Sequence, residues 1–251
     1  MFNIIIPARY ASQRLPGKPL RDIVGKPMIQ HVYERACQSG AKEVVIATDD
    51  QRVADAAMGF GAIACMTSDQ HRSGTDRIAE VIEQRGYDDD EVIVNMQGDE
   101  PTMPSQLVSA VAEHCINSDA DIITAAQWIT SSEDLFNQNV VKVLVDDNGY
   151  ALYFSRAPIP WDRTDFSKNR VPTNIAAHVY RRHIGLYAYR AGFIKEYVTW
   201  PAGKLEVVEL LEQLRVLEHG RKIRVFDVSC DPGFGVDTEE DLARVITLLG
   251  G

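Results

Sequence analysis

Cysteine is scarce in this chain of 251 residues: there are four, Cys37, Cys65, Cys115 and Cys230, and no Cys-x-x-Cys pair. That spacing argues against a disulfide framework or a zinc site and leads us to expect buried, reduced thiols, hence a cytoplasm of bacterial type. Long apolar runs are missing as well. None approaches the ~20 residues that a helix needs to cross a bilayer. The apolar start at 2–6 is too short for a signal peptide and has no cleavage pattern, so none is expected. Positive charge is in deficit, with 26 Lys and Arg against 36 Asp and Glu and a net charge of −10. A nucleic-acid polyanion is therefore an unsuitable partner. Internal repeats and low-complexity tracts are absent from the sequence. With 45% hydrophobic residues, the chain has material for one large α/β domain or a main domain with a lobe.

Against this acidic background, residues 9–26 form a basic island. Arg9, Arg14, Lys18, Arg21 and Lys26 face only Asp22, a local net charge of +4. The island follows directly on the apolar run 2–6, which reads as a buried strand. A strand that empties into a basic loop holding Gly17 and Lys18 suits phosphate capture: backbone amides can approach the anion and fixed cations neutralise it. The alternative is a solvated basic surface; the density of the run favours a small anion.

Strands and helices alternate through the first half. Apolar runs at 44–47 and 92–94 read as strands, and 27–38, 50–58, 75–84 and 104–116 read as helices. The alternation predicts a three-layer α/β sandwich with a mainly parallel sheet. Ligands in such folds sit beyond the carboxyl ends of the strands, which gathers the segments after Pro7 and Asn95 on one rim. The second half differs. Strands at 140–145 and 150–154 flank the turn Asp147-Asn148-Gly149, and a further strand spans 184–189. One amphipathic helix is expected over 205–218, with Leu210, Leu211, Leu214 and Leu217 on its apolar face. These features predict a smaller, antiparallel lobe inserted at about 128–200.

Three further motifs carry chemistry. In Gln97-Gly98-Asp99-Glu100-Pro101, at a strand end, Asp99 can ligate Mg²⁺ while Gly98 keeps the backbone close to a substrate. The presence of the basic loop on the same rim favours this over a simple turn cap. In His71-Arg72-Ser73-Gly74-Thr75-Asp76-Arg77, Ser73 or Thr75 can cap a helix, a role that leaves Gly74 and Arg77 unexplained. In 233–241, Thr238 and Asp241 fit a capping pair, and Asp237 is left over as a second carboxylate for a metal.

These motifs, with Ile-Pro-Ala-Arg at 6–9, Arg-Leu-Pro-Gly-Lys-Pro-Leu at 14–20 and Gly-Val-Asp-Thr at 235–238, resemble the 3-deoxy-manno-octulosonate (Kdo) cytidylyltransferases. The segments 150–160, 182–190 and 211–215 match as well, so the resemblance runs over essentially the whole chain. It implies a Rossmann-like sheet of the nucleotide-diphospho-sugar transferase type. It also implies transfer of CMP from CTP to the anomeric hydroxyl of Kdo, Mg²⁺ as cofactor, a cytoplasmic setting and a homodimer formed through the smaller lobe.

By motif, the resemblance makes Arg14, Lys18 and Asp99 the catalytic set. Ala8, Arg9, Arg14, Lys18, Ser73, Gly74, Arg77 and Gln97 would hold the nucleotide. Asp99 and Asp237 would hold Mg²⁺, and Gln97, Arg156, His183, Tyr187, Glu212 and Gln213 would line the sugar pocket. Pattern alone leaves some of these open. Glu212 lies off the leucine face and reads as a solvated charge, and His183 and Tyr187 share a strand face equally suited to packing.

The chain departs from the family at 165–181 and at Glu239, where proline is common. The same phosphate chemistry on an 8-amino Kdo analogue or on a sialic acid remains an alternative. A glycosyltransferase, or a nucleotide-binding protein without turnover, are more distant ones. No side-chain general base stands out, so activation of the sugar hydroxyl is assigned to the metal.

Overall fold

The structure, a computed structural model, describes every residue except 13, 165, 167–174 and 176–178. Most of the divergent stretch 165–181 lies outside the described residues. The chain divides into two compact units. The first comprises Met1–Ser118, Leu186–Thr199 and Asp231–Gly251; the second comprises Asp119–Gly185 and Trp200–Cys230.

Strand β1 (Phe2–Pro7) is the hub of the first unit. Ile4, Ile5 and Ile6 are fully buried, as successive side chains must be when both faces of a strand are covered. After it come the short antiparallel ribbon β2 (Asp22–Ile23) and β3 (Lys26–Pro27). Strands β4 (Glu43–Thr48) and β6 (Val92–Asn95) flank β1 in parallel, and β5 (Ile63–Met66) lies parallel beyond β4. Residues Tyr187 to Arg190 of β10 (Arg181–Arg190) run antiparallel along β6, with Tyr187 opposite Asn95.

The helices α1 (Met28–Cys37), α2 (Gln51–Gly59), α3 (Gly74–Arg85) and α4 (Ser105–Ile116) fall within one residue of the segments their periodicity marks. Helices α1 and α4 pack together over β4 and β6, while α3 packs over β1 against α6 (Ala191–Tyr197). The expected mainly parallel, three-layer plan is what forms.

A last helix, α9 (Glu239–Gly250), closes the first unit. Its Leu242 and Val245 join Leu15, Ile23, Met28 and Val236 in one buried cluster. Glu239, where the family often has proline, pairs with Arg21 through two contacts of 2.6 and 2.7 Å at the surface.

The second unit holds a parallel pair, β7 (Ile122–Trp128) with β11 (Ile223–Asp227), the short helix α5 (Ser132–Phe136) and an antiparallel hairpin, β8 (Lys142–Val145) with β9 (Ala151–Ser155). Arg181 and Arg182 of β10 pair antiparallel with β8. The unit therefore differs from the 128–200 lobe expected from composition. Pairing of β11 with β7 draws 200–230 into it, and residues 186–199 leave it because β10 completes the sheet beside β6.

The single helix expected over 205–218 is two. Helix α7 (Lys204–Glu209) ends at Leu210, which takes the left-handed φ of 53°, and α8 (Gln213–Glu218) restarts beyond it. Leu210 is consequently 77% exposed instead of on the apolar face, while Leu211 and Leu214 are buried. The break has a physical partner. Glu206 and Arg215 form a bidentate pair at 2.5 and 2.7 Å with both side chains nearly buried. In a continuous helix, nine residues would set them roughly 13 Å apart along the axis.

The cysteines depart from expectation in one respect. All four are unpaired thiols, but Cys37 and Cys230 are exposed and only Cys65 and Cys115 are buried. Burial pushes the Cys115 thiol up to about 11.

Lys142 is fully buried beneath the hairpin, and its ammonium donates to the carbonyls of Asn137 (2.9 Å), Val140 (2.6 Å) and Arg156 (2.7 Å). Three protons meet three acceptors. Burial, with the nearby Arg156 charge, lowers the Lys142 pKa to about 8, so the group still carries its charge at neutral pH. Lys142→Met would leave three carbonyls unpaired in the interior. It is expected to cost about 3 kcal/mol or more, a fall of roughly 6–12 °C in Tm, measurable by thermal unfolding.

Candidate active site

The site of the first unit forms where β1 and β6 end. Beyond them lies a cleft of about 240 Å³ lined by Ala8, Arg9, Ser12, Lys18, Gly74, Gln97 and Asp99, among others. Six of the residues proposed from sequence thus line one cavity, and Ser73 adjoins it through Gly74.

The basic loop is held by an apolar anchor at its centre. Leu15, between Arg14 and Lys18, is fully buried in the cluster that also takes Val236, the neighbour of Asp237. Leu15 N–H donates to Ser12 Oγ at 3.3 Å. Gly17 then turns the chain with φ 68° into a short 3-10 turn, Lys18–Leu20. The glycine is needed for that dihedral and for the Tyr10 ring: a Cβ at Gly17 would lie 3.1 Å from Tyr10 Oη. The dihedral and the ring are thus two local reasons for glycine at this position.

Gly98 has a similar explanation. A Cβ there would stand 2.8 Å from the Pro7 carbonyl oxygen, so the bare backbone serves the packing of the β1 and β6 ends. Asp99 follows from this register, and Asp237 is brought to it by its own strap. The Asp99 carbonyl accepts from Val236 N–H at 2.8 Å, and Thr102 Oγ1 accepts from Phe234 N–H at 3.1 Å. Thr238 and Asp241 form the expected capping box at the start of α9, which leaves Asp237 facing the loop.

Three segments far apart in sequence meet at Lys18. Its ammonium lies 2.6 Å from Asp99 Oδ2 and 2.9 Å from Asp237 Oδ1, and Arg14 reaches Asp237 Oδ2 at 3.0 Å. Burial works against the charge of Lys18, but Asp99 and Asp237 outweigh it and raise the pKa above the ordinary lysine value. For Asp237 burial again opposes the charge, and Lys18 and Arg14 hold the carboxyl below its usual range. Two carboxylates that converge on one cation fit Mg²⁺, which binds through one or two carboxylates and fills its shell with waters and phosphate oxygens. Among the described residues no group of three or more His, Cys, Asp or Glu gathers for a metal.

Ser73 and Arg77 have local tasks. Ser73 caps α3 in a full box with Asp76, which settles the choice between Ser73 and Thr75. Arg77 is fully buried and away from the cleft lining; it bonds Thr67 Oγ1 and, at 2.7 Å, Asp49 Oδ2. Gln97 donates to Asn95 Oδ1 at 3.0 Å, and Tyr187 lies opposite that asparagine on β10.

The remaining proposed residues belong to the second unit. Arg156 donates to the carbonyls of Glu209 (2.7 Å), Gln138 (3.0 Å) and Leu210 (3.5 Å), so the guanidinium caps the broken end of α7. Glu209 in turn accepts from Ser155 Oγ and Arg156 N–H at 2.6 and 3.0 Å. Glu212 stands at the N-terminal boundary of α8, and Gln213 beside it is buried. Thr124 Oγ1 donates to the Ile184 carbonyl at 3.0 Å and therefore accepts from His183 Nε2 at 3.0 Å. The His183 ring meets Phe154 edge-on.

Sequence reasoning missed Leu15 with Val236, the Arg77 partners Asp49 and Thr67, and the Lys142 and Glu209 supports. For Lys142 no sequence signal exists, since a charge in a strand reads as outward-facing.

Two measurements follow from this geometry. Gly98→Ala forces the new methyl against backbone, and an expected cost of about 1–3 kcal/mol lowers Tm by roughly 2–12 °C in thermal unfolding. Burial pushes the His183 pKa down to about 3. From about pH 6.5 down to 3, the unfolded chain takes up a proton that the folded chain refuses. Stability contributed by neutral His183 is thus lost as pH falls, at up to ~1.4 kcal/mol per pH unit. His183→Gln should flatten the acid limb of a Tm-versus-pH curve between pH 6.5 and 4.

Comparisons with known proteins agree with the geometry. The family model described as Cytidylyltransferase matches residues 3–223. A 3-deoxy-manno-octulosonate cytidylyltransferase of Idiomarina loihiensis is 55% identical over 250 residues, covering 99% of this chain and 98% of that protein. One from Vibrio vulnificus is 56% identical over 248 residues with the same coverage. A solved structure of CMP:2-keto-3-deoxy-manno-octonic acid synthetase complexed with CTP superposes with a TM-score of 0.89 at 43% identity, covering 100% of this chain and 99% of that one. A nucleotidyl transferase from Methanothermobacter thermautotroptrophicus shares the fold, with a TM-score of 0.62 at 14% identity over 100% of this chain and 99% of that one. The parallel sheet, the basic loop at its rim and this agreement over nearly the full length lead to one assignment: the chain belongs to the 3-deoxy-manno-octulosonate cytidylyltransferase family.

Proposed function

We infer that this enzyme transfers CMP from CTP to the anomeric hydroxyl of Kdo and releases pyrophosphate, which activates Kdo for lipopolysaccharide synthesis. The observation that carries the reading is a cleft lined by Arg9, Lys18 and Asp99, with Asp237 bound to the same Lys18 ammonium. In the reaction the sugar oxygen forms a bond to the α-phosphorus, and the bond from that phosphorus to the β-phosphate oxygen breaks. The hydroxyl proton leaves to solvent, and the electron pair of the broken bond departs on pyrophosphate.

Each demand of this step has a residue. Arg9, Arg14 and Lys18 neutralise the triphosphate and the charge that builds on the leaving pyrophosphate. Ala8, Gly74 and Gln97, lining the cleft, leave the nucleotide room and a polar edge. Asp99 and Asp237 would hold Mg²⁺, which when bound supplies Lewis-acid stabilisation and lowers the pKa of the attacking hydroxyl. Arg156 is the partner for the sugar carboxylate. Its longest contact, to Leu210 O at 3.5 Å, is the one a carboxylate most easily replaces. Ser73 serves by fixing the turn at Gly74, and Arg77 by fixing the start of α3. His183, Tyr187, Glu212 and Gln213 belong to the sugar side of the reading.

We extend the same reading to a cytoplasmic homodimer. Its support is the exposed apolar set of the second unit, Leu152, Trp161, Val208 and Leu210, all more than half exposed. No described helix is long and apolar enough to cross a membrane.

A coupled pyrophosphate-release assay tests the central claim. Release is expected with CTP, Mg²⁺ and Kdo together and not when Kdo is left out. A higher kcat/KM for an 8-amino analogue or a sialic acid would instead place the enzyme with those sugars. Asp99→Asn is expected to lower kcat by about 100-fold or more with CTP affinity changed only a few-fold. Equal losses in both would make Asp99 a binding residue.

A further inference from the structure

The cation between Asp99 and Asp237 belongs to the chain itself. Lys18 Nζ bridges the two carboxylates at 2.6 and 2.9 Å, and its side chain is only 11% exposed. The backbone that carries it is fixed by Gly17 on one side, by buried Pro19 on the other, and by Leu15 in the core cluster. Asp99 and Asp237 therefore meet a positioned ammonium on one side, while their side chains stay 35% and 49% exposed on the other. A divalent ion held by the same two carboxylates would sit beside the ammonium, and like charges at contact distance repel. Arg14 is a weaker competitor, for it reaches only Asp237, and its side chain is 63% exposed.

We propose that Lys18 is the resident counter-ion of the Asp99–Asp237 pair, and that it excludes divalent metal until a triphosphate draws the ammonium away. Metal loading is then conditional on nucleotide. The proposal rests on the reading of Asp99 and Asp237 as metal ligands. Its geometric basis is that Lys18, Arg9 and Asp99 line one cleft, so a polyphosphate that enters it lies within reach of the Lys18 side chain. Phosphate oxygens offer the ammonium anions to replace those it gives up. In the nucleotide-free enzyme, metal affinity equals the intrinsic affinity scaled by the fraction of molecules whose carboxylates are released. By linkage, nucleotide and metal each raise the affinity of the other. One residue thus links triphosphate capture to assembly of the metal site and keeps the ion out of a centre that has no nucleotide to act on.

The test is titration of Mn²⁺ alone into the full-length, nucleotide-free enzyme, with bound ion read by electron paramagnetic resonance. Lys18→Met is expected to bind Mn²⁺ about tenfold tighter than the wild type or more. Lys18→Gln, which keeps a polar, uncharged end on a side chain one atom shorter, should gain similarly and guards against misfolding of the first variant; circular dichroism checks both. Arg9→Met removes a cation of the same cleft that makes no ion pair with either carboxylate, and should gain far less. Equal affinities in Lys18→Met and wild type, or an equal gain in Arg9→Met, would overturn the proposal and leave the metal reading standing. The double variant Lys18→Met/Asp99→Asn should lose the gain. A gain that persists there would sink the metal-ligand reading together with the proposal.

Discussion

The Lys18 ammonium, clasped by Asp99 and Asp237, is the interaction around which the site is built. It ties the loop after β1, the loop after β6 and the strap before α9 at one point. None of the three partners would hold its position without packing beneath it. Leu15 and Val236 share a buried cluster one residue or a few away from the charged groups, so the hydrophobic effect places what electrostatics then locks. Ion pairs exposed to water contribute little, but here Lys18 is nearly buried and both acceptors are charged.

The same logic recurs in the second unit with backbone carbonyls in the place of carboxylates. Lys142 and Arg156 between them hold six carbonyl groups: those of Asn137, Val140 and Arg156 for the lysine, and of Glu209, Gln138 and Leu210 for the arginine. A cation in such a cage does two things. It satisfies helix and strand ends that would otherwise lack donors, and it fixes the orientation of the Arg156 guanidinium. The broken α7–α8 junction belongs to this arrangement, because its outward carbonyls are the ones Arg156 takes.

Much of the molecule was legible in the sequence. Helices α1 to α4 of the first unit follow from period and punctuation, since a 3.6-residue apolar repeat has few other solutions. The capping boxes of Ser73 with Asp76 and Thr238 with Asp241 are local, and local bonds can be read locally. Errors arose where the deciding contact was remote. The helix over 205–218 broke because Glu206 and Arg215 pair and Arg156 caps the break. Gly17 and Gly98 also answer to a ring and a carbonyl, neither of which lies beside them in the chain. Arg77 suited an anion site by composition, yet Asp49 and Thr67 take its guanidinium in the core.

By itself the sequence determined the class of chemistry. A buried strand running into a basic, glycine-bearing loop, with Gly-Asp at a second strand end, specifies phosphate handling because short-range charge and backbone freedom are properties of residue type. Tertiary structure alone decided which carboxylates meet which cation. Asp237 lies 219 residues from Lys18, and the Val236–Asp99 backbone bond, the Phe234–Thr102 bond and the Leu15 cluster bring them to 2.9 Å. Such a meeting depends on how two loops pack over a common core, and no pattern within either loop encodes it.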